Sequence, residues 1–244
     1  MSSYATIGTA VTATGLATST VFTTNTVLNV GELGVSRYTC GAAARPTGIT
    51  CTDSAGNTWA IAIDGGDGLS SYNAIFWTVA TVQLASSGTI TVATTASQQF
   101  RGLDAIKCAN PSSSTPLDSP PTKFGSGSGT AVSAGASVAP ATSDWVGATV
   151  VAYNGSAMAP GTVGGTWIED ADVSAVGFQS QSLIGTSTTA VGGGGTQTGA
   201  NPWSCAIAVF SLGAAAVVGT PGSRTAIPFT QGAGGGAFGG GGPH

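Results

Sequence analysis

Short runs rich in Val, Ile, Thr, Phe and Trp recur along this 244-residue chain, and each run is closed by Gly, Asn, Asp, Ser or Pro. This spacing is typical of many short β-strands joined by turns. No apolar period of 3.6 residues persists for three helical turns, so the pattern argues against helices. The predicted strands are 6–13, 20–24, 32–40, 48–52, 58–63, 72–79, 88–95, 102–108, 131–138, 145–153, 166–169, 173–185 and 203–211.

Two kinds of strand can be distinguished by their side-chain alternation. In Gly88–Thr94, Ile90 and Val92 point to one face while threonines point to the other, which predicts a half-buried strand. The runs 145–152 and 203–210 are apolar almost throughout, as in strands that are covered on both faces. Together they predict an all-β fold, a two-sheet antiparallel β-sandwich of jelly-roll-like type.

A segment rich in Pro, Ser and Gly, Asn110–Gly129, separates two halves of the chain. We predict a long loop that crosses from one sheet to the other, because neither half has enough strands to close a sandwich alone. One β-sandwich domain is therefore expected over 1–212. Residues 213–244 form an Ala/Gly-rich tail, which we expect to be an element of attachment to a partner chain.

Charged side chains make up only 7% of the chain, with a net charge of -4. The six cationic residues are scattered singly and form no basic stripe, so nucleic-acid binding is not expected. The start, Met1–Tyr4, has no cationic segment followed by an apolar block, so we expect no export signal. No run of 18 apolar residues predicts a membrane span. We expect a protein made in a cytoplasm.

The four cysteines, Cys40, Cys51, Cys108 and Cys205, form no CxxC motif. Cys108 and Cys205 lie in apolar runs, which favours free buried thiols. A bridge between Cys40 and Cys51 is the alternative. Zinc is the least favoured choice, because His244 at the end of the chain is the only histidine.

Catalytic groups are scarce. A single histidine at the last position leaves no Ser-His-Asp or Cys-His arrangement for the folded body. Carboxylate pairs remain as candidates for a glycosidase or for Ca²⁺ binding, but turn formation and exposure to solvent are the favoured interpretation. The candidate carboxylates are Asp64 and Asp67, and Glu169, Asp170 and Asp172. Because the structural interpretation is favoured for them, we predict no enzyme and no cofactor.

The five tryptophans divide into two groups. Four lie in or beside strong strands and are predicted to be core residues, namely Trp59, Trp77, Trp145 and Trp203. Trp167 follows a glycine-rich turn and precedes Glu169 and Asp170, so it is the best candidate for an exposed ring. Sugars stack on such rings, and Trp167, Glu169 and Asp170 are therefore the predicted glycan contacts.

Seven segments stand out in order along the chain: Thr24–Leu33, Ile49–Trp59, Gly88–Val92, Arg101–Ala105, Ser114–Asp118, Val146–Asn154 and Pro202–Phe210. Their order resembles β-sandwich structural modules of tailed-bacteriophage virions, jelly-roll or lectin-like, of minor tail or decoration protein type. The resemblance extends over residues 20 to 212.

This resemblance implies a non-catalytic virion protein of the tail or tail tip, assembled in the cytoplasm of a bacterial host. A capsid decoration protein or a carbohydrate-binding host-adhesion module is the alternative. The implied partners are other tail or capsid proteins, further copies of the chain and a host surface glycan. Within the resemblance, Asp53–Asn57 is predicted to be a hairpin turn in which Gly56 takes positive φ.

Overall fold

The computed structural model describes residues 3–135, 139–154 and 157–213, without the side chains of 119–122. The predicted tail therefore lies outside the described residues beyond Gly213. All regular structure in the described part consists of strands. They are β1 (Tyr4–Thr6), β2 (Val11–Ala13), β3 (Ala17–Thr23), β4 (Leu33–Cys40), β5 (Thr50–Asp53), β6 (Ala60–Gly66), β7 (Tyr72–Val79), β8 (Thr89–Gln98), β9 (Arg101–Cys108), β10 (Leu117–Ser133), β11 (Trp145–Tyr153), β12 (Met158–Pro160), β13 (Ile168–Val173), β14 (Phe178–Gly185) and β15 (Gly194–Ser211).

The strands form three sheets, and every strand pair is antiparallel. The central sheet has the order β1-β9-β4-β7-β6, with β2 also paired to β9. The C-terminal sheet has the order β10-β15-β11-β14-β13, with β12 also paired to β15. The small sheet has the order β3-β8-β5. Among the described residues there is no helix long and apolar enough to cross a membrane.

Strand β4 shows how the three sheets stack, because all eight of its residues are buried. Leu33 and Val35 pack into a core shared with the C-terminal sheet. Tyr38 and Cys40 point the other way, into a core shared with the small sheet. The central sheet is therefore covered on both faces, and the predicted antiparallel β-sandwich is confirmed, with a third sheet added to it.

The small and central sheets are both built from β1 to β9, that is, from the first half of the chain alone. The expectation that neither half could supply a sandwich by itself was wrong. The strands of this half are short, but they alternate between the two sheets: β3 and β4 lie in different sheets, as do β4 and β5, and β8 and β9.

In the C-terminal sheet, β11 is buried along its whole length, and so is β15 from Ser204 onward. Val146 and Val150 face the central sheet, whereas Trp145 and Val151 face an outer core on the opposite side. The prediction that these two strands are covered on both faces is confirmed.

The prediction of a loop throughout Asn110–Gly129 was wrong from Leu117 onward, because β10 occupies 117–133 and also includes the start of the strand predicted at 131–138. It is an edge strand paired with β15. The ladder is interrupted between Leu117 and Thr122, which is where Pro120 and Pro121 lie. Proline has no backbone N–H to donate, and at an edge or a bulge no carbonyl of a neighbouring strand depends on that donor. The predicted crossover is confirmed, since β9 and β10 lie in different sheets.

Two further boundaries differ from prediction. The strand predicted at 173–185 is interrupted by a turn at 174–177, so that β13 and β14 form a hairpin. Gly177 has φ +63, and a Cβ there would overlap the carbonyl oxygen of Tyr153. Strand β15 begins at Gly194, before the predicted 203, because it continues past the end of β11 along β10 and β12.

The predicted turn at Asp53–Asn57 is confirmed, with φ +83 at Gly56. It is not the turn of a regular hairpin, because β5 and β6 lie in different sheets and only the single bridge between Thr52 and Thr58 joins its two sides. Asp53 organises the turn by accepting bonds from the backbone N–H groups of Ala55 and Asn57 at 2.9 and 3.0 Å. Its other oxygen accepts the indole N–H of Trp59 at 2.9 Å. The turn therefore fixes a core tryptophan that is 8% exposed.

All four cysteines are buried free thiols in the structure. Burial raises the pKa of Cys40 to about 11 and that of Cys108 to about 12, and it also raises the pKa of Cys51 and Cys205. Since the thiolate is the reactive form, we expect no thiol to react with Ellman's reagent in the native protein at pH 8, and all four to react in denaturant. Fewer than four reactive thiols in denaturant would reveal a disulfide.

Candidate functional site

A buried cluster of charges joins the central and C-terminal sheets. Arg37 projects from β4 and is 0% exposed. Its Nε and Nη2 donate to the two oxygens of Asp104, on the neighbouring strand β9, at 2.9 and 2.5 Å. Its Nη1 donates to Asp170 Oδ2, on β13 of the C-terminal sheet, at 2.7 Å. One guanidinium therefore bridges carboxylates of two different sheets.

Further partners of this cluster come from β14, and Tyr4 on β1 contacts Asp170 and Ser182. Arg37 Nη1 also donates to the carbonyl oxygen of Gln181 and to Ser182 Oγ, at 2.9 and 2.8 Å. Ser180 donates to Asp104 at 2.6 Å, and Ser182 donates to Asp170 at 2.5 Å.

Although burial opposes its charge, the two carboxylates raise the pKa of Arg37 above its ordinary value, so the guanidinium stays protonated. Charge-assisted bonds of this kind are the strong ones, and their geometry orients one sheet on the other.

Asp170, one of the three predicted glycan contacts, is part of this cluster. Its side chain is 3% exposed. A carboxylate that already accepts from a guanidinium and a serine, with little surface exposed to solvent, is not arranged to receive a sugar hydroxyl. Its position in the structure indicates a role in holding the two sheets together.

Trp167 is buried at 3% exposure, so the prediction of an exposed ring was wrong. Its indole N–H donates to the carbonyl oxygen of Val163 at 3.2 Å, and its ring lies in the outer core. The space for the ring comes from Gly147 on β11, where an added Cβ would lie 2.8 Å from Trp167 Cη2. A sugar-stacking role at Trp167 would require this ring to leave the core.

Glu169 is the only one of the three predicted contacts that is exposed. Gln179 donates to it at 3.0 Å. Nearby, the hydroxyl of Tyr153 donates to Asp172. Partial burial and the negative charge of Asp172 raise the pKa of Glu169 above its ordinary value. The structure thus separates Trp167, Glu169 and Asp170 into three different environments.

The other candidate pair, Asp64 and Asp67, is also engaged within the protein. Asp64 accepts from the Tyr72 hydroxyl at 2.7 Å and pairs with the exposed Arg45 at 3.1 Å. Asp67 Oδ1 accepts three backbone N–H groups of the turn at 69–71, at 2.8 to 2.9 Å. Although partial burial opposes it, these bonds lower the pKa of Asp67. The prediction that Asp67 serves turn formation is confirmed.

Within the ranges that the structure describes, no group of three or more His, Cys, Asp or Glu side chains is arranged to hold a metal ion. Sequence reasoning missed the Arg37 cluster, although a signal for it exists. Arg37 is the one charged residue of β4, Asp104 lies between the apolar Leu103 and Ala105 on β9, and β14 carries Gln-Ser-Gln-Ser at 179–182. Polar residues in strands that are fully buried must find partners, and these find one another.

Comparison with known proteins adds no relative: no protein-family model, no curated protein and no solved structure matches this chain.

Proposed function

We propose that this chain is a non-catalytic structural protein of a bacteriophage virion, belonging to the tail or tail tip. The observation that carries the proposal is an uncharged outer face on the small sheet. Charged residues are depleted at the cores of protein interfaces, so a face without them suits contact with other proteins. The order of sequence segments that resembles virion β-sandwich modules supports the same conclusion.

The outer face of the small sheet is formed by side chains in register across three strands. Thr52 on β5 and Val21 on β3 both pair with Thr91 on β8, and Thr23 pairs with Thr89. Val21 is 46% exposed, and Thr52 is exposed as well. The opposite side chains of these strands, such as Phe22 and Ile90, fill the core. This alternation produces a regular face of hydroxyl and methyl groups.

The arrangement of sheets also suits a particle component that must resist mechanical stress. Three stacked sheets share two continuous cores, and the ionic cluster at Arg37 links two of the sheets. A capsid decoration protein would have the same requirements. A host-adhesion module would in addition need a ligand site.

The proposal is tested by whether the chain is part of purified particles of the phage that encodes it. We expect an antibody to detect it in particles purified through a density gradient, at a constant ratio to the major capsid protein. Immunogold labelling then distinguishes tail from capsid. Absence of the chain from purified particles would overturn the proposal.

The outer face is tested with a matched pair of variants. Thr91→Glu places a charge in the middle of the face, and we expect its incorporation into particles to be strongly reduced. Thr166→Glu makes the same change at an exposed loop position elsewhere and should be incorporated like the wild type. Equal incorporation of both variants, with equal thermal stability, would show that this face is not the contact surface.

A further inference from the structure

A cleft of about 350 Å³ opens at one end of the molecule, between the central and C-terminal sheets. Small-molecule sites have volumes of roughly 300–1,000 Å³, so this cleft is large enough for a small ligand. Its walls come from turns and strand ends of both sheets, which converge there. They include the end of β4, the turn at 67–71, the turn between β8 and β9, the end of β11 and the turn between β13 and β14.

Phe100, between β8 and β9, is the unusual residue of this cleft. Its backbone has φ +48, a conformation that a bulky residue rarely adopts. Its side chain is 45% exposed and lines the cleft, close to Gly41 at the end of β4. Backbone conformations of this kind are held in place by the surrounding structure, and they cluster at active sites and ligand sites.

The polar groups of the cleft are neutral or already paired. Ser70, Asn154 and Ser174 line it, and their side chains have no hydrogen-bond partner within the described part of the chain. Asp67 also lines it, but its oxygens accept bonds from its own turn. No Lys, Arg or His is among the lining residues. An anionic ligand therefore has no counter-charge here, whereas hydroxyl groups have both donors and acceptors.

We propose that this end cleft binds one ring of a neutral saccharide. The apolar face of the ring packs on Phe100, and its hydroxyls bond to Asn154 and the neighbouring serines. The site shares no residue with the glycan contact predicted at Trp167, Glu169 and Asp170. It does not require the chain to be a virion protein, so its test is independent of particle association.

The test compares saccharide binding by the full chain and two glycine variants. The probes are neutral hexoses, N-acetylhexosamines and their oligosaccharides, presented on an array, and hits are titrated by calorimetry. Phe100→Gly removes the ring and also relieves the positive φ, so it should fold at least as well as the wild type. We expect its affinity for the bound saccharide to fall by about tenfold or more, because the Phe100 ring supplies the main apolar contact of a small site.

Asn110→Gly is the matched control. Asn110 is the other non-glycine residue with positive φ among the described residues, and it lies beyond the opposite end of β9. This variant should bind like the wild type. Asn154→Ala should weaken binding without changing the melting temperature. Failure of the wild type to bind any of these saccharides would overturn the proposal, and so would wild-type affinity in Phe100→Gly.

Discussion

Replacing Arg37 with Met is expected to lower the free energy of unfolding by about 3–5 kcal/mol, because it leaves two buried carboxylates without their counter-charge. Asp104 and Asp170 both accept bonds from this guanidinium, and the side chains of all three residues are at most 5% exposed. Methionine retains the apolar stem of the side chain and removes the guanidinium, so the interactions lost are those of the charged group. Urea denaturation followed by tryptophan fluorescence measures it.

The control for this prediction is Arg45→Met. Arg45 also pairs with a carboxylate, Asp64, but its side chain is 58% exposed. Exposed ion pairs contribute about 0–1 kcal/mol, so this variant should differ little from the wild type. Equal losses in the two variants would contradict the role assigned to the buried cluster.

The Arg37→Met variant should also acquire a distinctive pH dependence. Burial raises the pKa of Asp104 in the folded state, and the guanidinium of Arg37 opposes that shift, so its removal raises the pKa of Asp104 further above the unfolded value. The folded variant then binds more protons than the unfolded chain, so its stability rises as the pH falls toward about 4–5. The difference in free energy of unfolding between the variant and the wild type, the stability gap, should therefore narrow over that range. A gap that is constant with pH would show that lost packing, rather than unpaired charge, causes the destabilisation.

Adding the single methyl group of Gly185→Ala is expected to lower the free energy of unfolding by about 1–3 kcal/mol, as is usual for overpacking of a filled core. Gly185 is paired across the sheet with Trp145. The indole of Trp145, 1% exposed, covers the glycine so closely that an added Cβ would overlap Cζ2 and Cε2 of the ring. The ring is also held by a bond from its N–H to the carbonyl oxygen of Ser187 at 2.7 Å.

Gly15→Ala is the control for this substitution, because an added Cβ at Gly15 would meet no atom within 4 Å. It should be close to neutral. A double variant, Gly185→Ala with Trp145→Phe, tests the cause, since a smaller ring makes room for the methyl group. We expect it to lose less stability than the sum of the two single variants. Strict additivity would show that the ring and the glycine are not coupled.

The local sequence pattern was sufficient to predict the strands whose two faces are each either buried or exposed along the whole strand. The apolar runs at 145–152 and 203–210 predicted strands buried on both faces, because any sheet that contains them must cover both sides. Alternation at 88–94 predicted a half-buried strand, and β8 has this pattern. The turn at Asp53–Asn57 followed from local chemistry alone, since Gly56 supplies the positive φ whatever the rest of the fold.

Local pattern failed where a distant strand supplied the partner. The Pro-rich and Gly-rich segment after Leu117 has low strand propensity, yet it forms β10 because β15 offers it an unpaired edge. Trp167 follows a turn and was expected to be exposed, but Gly147, on a different strand, provides a space for its ring.

The sequence by itself determined that this chain is an all-β protein with few charges and with central strands of uniform apolar character. These properties follow from alternation and turn chemistry, which act over a few residues. Only the tertiary structure decided which polar residues are buried together. Arg37 and Asp170 are 133 positions apart in sequence, and they meet because the central and C-terminal sheets stack. The pairing of a buried charge depends on such contacts across sheets, so a local pattern can mark a polar residue in a buried strand but cannot identify its partner.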